Sequence, residues 1–142
     1  MTEEQLVFAT LDEYADAYCK KDLDRLMSIF VDGEGISLIG TGGDELCSGR
    51  DAVSAVFARN FRDATATKFA WGWKDIAIHD ASATVAIALV IHLVVDGDTL
   101  MVPVRWTVSL VKTAAGWRWV HRHASVAASA QDEGSAYPKS RG

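Results

Sequence analysis

The sequence predicts an α+β fold in which helices from the first half of the chain cover one face of a curved antiparallel sheet made by the second half. Two observations carry this. Apolar residues recur at helical spacing as far as Phe61, and from Thr67 onward Trp, Ile, Val and Thr dominate in runs separated by turn signals. Helices gathered at one end and strands at the other pack as two layers rather than interleaving as βαβ units. A chain of 142 residues, 49% of them hydrophobic, is sized for one compact core.

The elements follow in order. Thr2 with Gln5 is a capping-box pair, after which Val7, Leu11, Tyr14 and Tyr18 recur on one helical stripe until Lys20 and Lys21 meet the negative helix end. In "DLDRLMSIF", Asp22 caps a shorter helix that aligns Leu23, Leu26, Met27 and Phe30. "GISLIG" reads as a short strand and "TGGDE" as a turn. "SGRD" at 48–51 is a further capping pattern, opening a third helix with Val53, Val56, Phe57 and Phe61 inward. Breaks at "HDAS", "DGD" and "KTAAG" then divide four long strands, over 67–79, 82–95, 98–112 and 116–128. The domain is expected to span 1–128, with the small, polar segment 129–142 as a mobile tail.

Composition narrows the function. A net charge of −5 without a Lys/Arg run offers no electrostatic footprint for nucleic acid or an acidic membrane. No apolar run approaches the roughly 18 residues of a membrane span, and the first residues lack a signal peptide's basic start and apolar block, so the expected compartment is the cytoplasm. Two cysteines, Cys19 and Cys47, are too few for a disulfide scaffold and are expected as free thiols. "GTGGDE" lacks the lysine of a phosphate loop, and no cofactor is expected. Metal is not expected either, because His121 and His123 have ligand spacing but His92 is the only further partner in view.

The most informative stretch is "WRWVHRHAS" at 117–125. Strand alternation puts Trp117, Trp119, His121, His123 and Ser125 on one side, and Arg118, Val120, Arg122 and Ala124 on the other. Two rings followed by two imidazoles suggest a wall that is partly buried and partly polar, as in a pocket. Trp71 and Trp73 form a second i, i+2 pair that would extend a flat wall from Trp119. Arg105 is harder to place. The apolar set on 100–110 is even-numbered, which turns Arg105 away from the core unless a bulge at Pro103 re-aims it, or a second subunit covers that face.

The order of elements, "GRDAV" at 49–53, "RWT" at 105–107 and "GWRWVHRHAS" at 116–125 resemble the SnoaL-like branch of the nuclear-transport-factor-2-like superfamily, over residues 5–128. The last strand also resembles the association domain of calcium/calmodulin-dependent protein kinases. The resemblance implies a cone-shaped fold, a pocket between helices and concave sheet, and homodimers packed through sheet surfaces. Those dimers would bury Val102, Val104, Trp106 and Val120. Beside ketosteroid isomerase, Tyr14 falls at the oxyanion-holding tyrosine, the general base falls on Gly40 and the second oxyanion acid on Arg105. The base is therefore missing, with Asp44 and Glu45 the nearest acids.

The expected function is binding of a small, largely apolar organic ligand with an anionic or carbonyl end. Trp71, Trp73, Trp119, Tyr14 and Tyr18 would shape the site, while Arg105, His92, His121 and His123 would supply its polar end. The alternatives are an isomerase, dehydratase or cyclase using Tyr14 and a histidine for proton transfer, and a non-catalytic oligomerisation module. With histidines in the pocket, a carboxylate would bind tighter as pH falls from 8 to 6. Arg122, on the opposite strand face, would not matter.

Overall fold

A computed structural model describes residues 1–139. The elements run α1 (Glu3–Cys19), α2 (Leu23–Met27), β1 (Ser37–Ile39), β2 (Leu46–Ser48), α3 (Arg50–Asp63), β3 (Thr65–His79), β4 (Ser82–Val95), β5 (Asp98–Thr113) and β6 (Gly116–Ser125). The capping box forms as expected. Thr2 Oγ1 accepts from the Gln5 N–H at 3.1 Å and Gln5 Oε1 accepts from the Thr2 N–H at 2.9 Å. Before α3 the device differs from the expected serine cap, because Ser48 closes β2 and Gly49 stands at the helix start with φ of 87°. There the Glu34 carboxylate accepts from the Arg50 N–H at 3.1 Å, and a Cβ on Gly49 would lie 2.7 Å from it. Both the positive φ and this close approach call for glycine.

The six strands form one sheet in the order β2-β1-β6-β5-β4-β3. Every pair is antiparallel except β1 and β6, which run parallel, so the sheet is mixed. Hairpins join β3 through β6 and force antiparallel neighbours, whereas β1 is far from β6 in sequence and carries no such constraint. The core lies between the concave face and the helices. Val7, Leu11, Tyr14 and Ala17 of α1 meet Val85, Ile87 and Leu89 of β4 and Val104, Trp106, Val108 and Leu110 of β5, all buried.

Pro103 makes no bulge. The register of β4 on β5 is unbroken from Ser82↔Val111 to Val95↔Asp98, so even-numbered residues of β5 stay inward and Arg105 faces out. Val104 and Trp106, 5% and 2% exposed, therefore belong to the core and not to a subunit interface. Register shifts occur elsewhere, in β3 between Ala66 and Lys68 and between Trp71 and Lys74, and in β6 opposite Ser109/Leu110. Such bulges bend a strand and increase its twist, which curves the sheet. The strands end at Ser125, and residues 129–139 are exposed turns. Positions 140–142 of the expected tail lie outside the described residues. Among the described residues no helix is long and apolar enough to cross a membrane. Cys19 and Cys47 are free thiols.

Candidate functional site

The site turns on one unmatched residue. Leu110 of β5 faces Trp119, but Ser109 faces His121, leaving Val120 as an extra residue in β6. Beyond it the alternation changes phase. Trp117, Trp119, Arg122 and Ala124 point inward, at 4%, 0%, 8% and 6% exposure, while His121, His123 and Ser125 belong to the outer face. The expectation that five residues of "WRWVHRHAS" share one face fails here, and Arg122 takes the inward place assigned to the histidines. Val120 is also where β6 changes partner. Trp119 exchanges backbone hydrogen bonds with Ile29 and Val31, at 2.8 and 2.9 Å, whereas from His121 on the strand pairs with β1.

Inside the cone is a cavity of about 220 Å³. Ile91, Leu93, Val102, Val104 and Trp106 form its apolar wall, and Tyr18, Glu45, Asn60, Asp63 and Arg122 its polar lining. Of four larger depressions, the two most voluminous, of about 410 and 550 Å³, lie beside α1 and on the outer sheet face. Neither is lined by a buried charge.

Arg122 dominates the cavity electrostatically. Its Nη1 donates to the Tyr14 hydroxyl at 3.0 Å, and its guanidinium carbon stands 5.3 Å from the Trp106 ring centroid. Nε is buried without a hydrogen-bond partner among the described residues. Among the described residues no carboxylate forms an ion pair with this side chain. Tyr14 is held by rings on several sides, stacked on Trp119 at 4.8 Å and edge-on to Trp106 at 5.1 Å. Burial pushes its hydroxyl far above the usual phenol range, against the opposing pull of the Arg122 charge. Burial raises Tyr18 as well, with the Asn60 side chain opposing. Both phenols therefore stay protonated and do not act as bases; the Tyr14 oxygen accepts from Arg122.

Glu45 is the acid nearest in role to the missing base. Its Oε1 accepts from the Gly42 N–H at 2.7 Å and its Oε2 from Arg59 Nη2 at 3.0 Å, with the side chain only 14% exposed. A Cβ on Gly40 would lie 2.8 Å from the Glu45 carboxyl carbon. The carboxylate thus fills the space that a side chain at position 40 would need. Asp44, 73% exposed, takes the other arm of Arg59 at 2.9 Å, and that guanidinium holds its carboxyl below the usual range.

The expected site residues separate. Tyr18 lines the cavity, Tyr14 reaches it through Arg122, and Trp119 supports Tyr14 from the core, its Nε1 donating to Thr10 Oγ1 at 2.8 Å. Trp71 packs beside α1, donating to Asp12 at 3.0 Å, but the bulge after it leaves Trp73 68% exposed, so the two rings make no common wall. Arg105 is on the outer face, bonded to Ser125 Oγ and the Val126 carbonyl, both at 3.2 Å. His92 is also on that face, opposite Met101. His121 Nδ1 hydrogen-bonds Ser37 Oγ at 2.7 Å, and its ring centroid is 6.4 Å from that of His123. Sequence reasoning missed Arg122, Asn60 and Trp106, and gave Glu45 only a marginal place. No glycine or proline marks Val120, so strict alternation concealed Arg122.

A family model described as the SnoaL-like domain matches residues 7–129. Comparison with proteins of curated description found no match. Among solved structures, an NTF2-like protein with a cystatin-like fold from Novosphingobium aromaticivorans is 20% identical with a TM-score of 0.71, covering 94% of this chain and 84% of that one. A ketosteroid isomerase-like protein from Erwinia carotovora is 18% identical with a TM-score of 0.72, over 85% of this chain and 93% of that one. The CaMKII hub of S. rosetta is 22% identical with a TM-score of 0.69, over 85% and 94%. At these identities the likeness establishes the fold.

Proposed function

Because the chain belongs to the SnoaL-like family, whose fold carries no single reaction, we propose that it binds a small, largely apolar organic ligand whose anionic or carbonyl oxygen meets Arg122 in the cone cavity. One observation carries this reading: a permanently charged guanidinium, 8% exposed, lines the cavity with a buried Nε that no group among the described residues satisfies. Burying a charge without a counterion costs several kcal/mol, so such a group is retained where something else supplies the oxygen. The apolar wall takes the body of the ligand, as is usual in small-molecule pockets.

The test is calorimetric titration of small aromatic and aliphatic carboxylates. Arg122→Met is expected to cost about 1.5–3 kcal/mol, the range for a hydrogen bond to a charged group, while Arg105→Ala leaves the affinity unchanged. Affinity is also expected to stay flat between pH 8 and 6, since no histidine lines the cavity and its tyrosines are shifted upward. Tightening toward pH 6, or equal damage from the Arg105 change, would overturn this assignment.

A second reading is a proton-transfer enzyme of the isomerase, dehydratase or cyclase kind. It is favoured by Glu45, which stands where a side chain on Gly40 would be, with Arg122 in the cavity lining available to an oxyanion and Tyr14 holding Arg122 from behind. In this reading Glu45 replaces the histidines as the proton acceptor.

We also propose a homodimer through the outer sheet face. Ala70, Gly72, Ala88, Val90 and Pro103 form a floor of small apolar residues there, with Trp73 and Met101 68% and 60% exposed at its margins. The likeness in fold to the S. rosetta CaMKII hub supports a self-complementary contact. Light scattering should show a dimer at micromolar concentration and a monomer for Trp73→Glu; an unchanged mass in the variant would place the contact elsewhere.

A further inference from the structure

The guanidinium of Arg122 presents two edges. Nη1, on one, is committed to the Tyr14 hydroxyl. Nε and Nη2 project in parallel from the other; Nε is buried and unpartnered, and Nη2 has no partner among the described residues. This unpaired edge has the geometry of the fork that pairs with a planar carboxylate through two parallel N–H···O bonds, reached once the packing over the buried Nε moves aside. A lone carbonyl oxygen fills one of the two positions and leaves the second donor unpaired. The fork is also fixed in advance. The Tyr14 bond holds its far edge and the Trp106 ring lies against it, so little ordering is needed on binding.

The remaining lining of the cavity restricts the rest of the ligand. Glu45 and Asp63 line it, and Glu45 is anchored by Arg59 and the Gly42 N–H. A second carboxylate on the ligand would meet these anions. The strand wall of Ile91, Leu93, Val102 and Val104 accepts only hydrocarbon. A volume of about 220 Å³, at roughly 30 Å³ per water-sized group, leaves room for about seven or eight non-hydrogen atoms.

Resting on the ligand-binding reading above, we infer that the cavity selects small monocarboxylates, seated side-on along the Nε–Nη2 edge of Arg122, over neutral carbonyl compounds and over dicarboxylates. A size-matched series of eight non-hydrogen atoms, within the room the cavity offers, titrated into the full chain by calorimetry separates the possibilities: hexanoate, hexanamide and succinate. Hexanoate is expected to bind at least about tenfold tighter than either of the others, as the loss of one charge-assisted bond implies. Arg122→Lys keeps the charge but lacks the fork, and should weaken hexanoate about tenfold while moving hexanamide less than about twofold. Glu45→Gln should narrow the gap between succinate and hexanoate.

If hexanamide equals hexanoate and both are lost in Arg122→Met, the carboxylate class is wrong and the carbonyl-binding reading stands. If hexanoate binds but is indifferent to Arg122→Met, the cavity reading itself fails. Absence of hexanoate binding at millimolar concentration overturns the monocarboxylate assignment. The wild-type comparison of the three compounds decides the class even where a variant does not fold.

Discussion

Replacing Trp119 by alanine is expected to remove about 3–5 kcal/mol of folding stability, the usual cost of deleting a fully buried aromatic side chain. The ring is completely buried, stacked on Tyr14 at 4.8 Å and edge-on to Phe30 at 5.6 Å and Trp106 at 6.1 Å. Its Nε1 also satisfies Thr10 Oγ1, a bond that ties α1 to β6. Small domains carry only about 5–15 kcal/mol in total, so the variant should sit near the unfolding threshold. Urea denaturation followed by circular dichroism measures the loss. A change below about 1 kcal/mol would mean that the aromatic cluster around Tyr14 is not the centre of the core.

The second large effect has opposite signs for stability and binding. The double variant Arg122→Met, Tyr14→Phe replaces an unpaired buried charge and the hydroxyl it contacts with apolar groups of similar size. Exchanges of buried ionic groups for packed apolar ones are often neutral or stabilising by about 1–4 kcal/mol. The double variant is therefore expected to unfold at equal or higher urea concentration than the wild type, yet to lose carboxylate binding. Arg122→Met alone should fare worse, because the Tyr14 hydroxyl then loses its Arg122 donor in the core. Should the double variant prove less stable than the wild type by more than about 1 kcal/mol, Arg122 would be a structural group rather than one retained for a ligand.

Both outcomes concern residues that were unequally legible in the sequence. Trp119 and Tyr14 could be found from local patterns, because a helical stripe and a strand's aromatic content report burial directly. Glu45 was within reach as the nearest acid to a position occupied by glycine. Its entry into the cavity depends on Arg59 and the Gly42 N–H, which only the folded turn brings to it. Trp71 and Trp73 show the limit of period-two reasoning, since a bulge between Trp71 and Lys74 sends the second ring to the surface.

The sequence by itself determined the layers: the order of helices and strands, the capping box at Thr2, the inward stripe of α1 and the inward even positions of β5. These are consequences of local geometry, repeated every 3.6 or every two residues, and they survive wherever the chain is regular. Tertiary structure alone decided which polar residues reach the cavity. Val120 is left unmatched because β6 must pair with the 29–31 segment on one side of it and with β1 on the other. That change of partner joins segments some ninety positions apart, so no window of local sequence contains it. One extra residue inverts every facing beyond it, which is why the cavity holds Arg122 and the outer face holds His121 and His123.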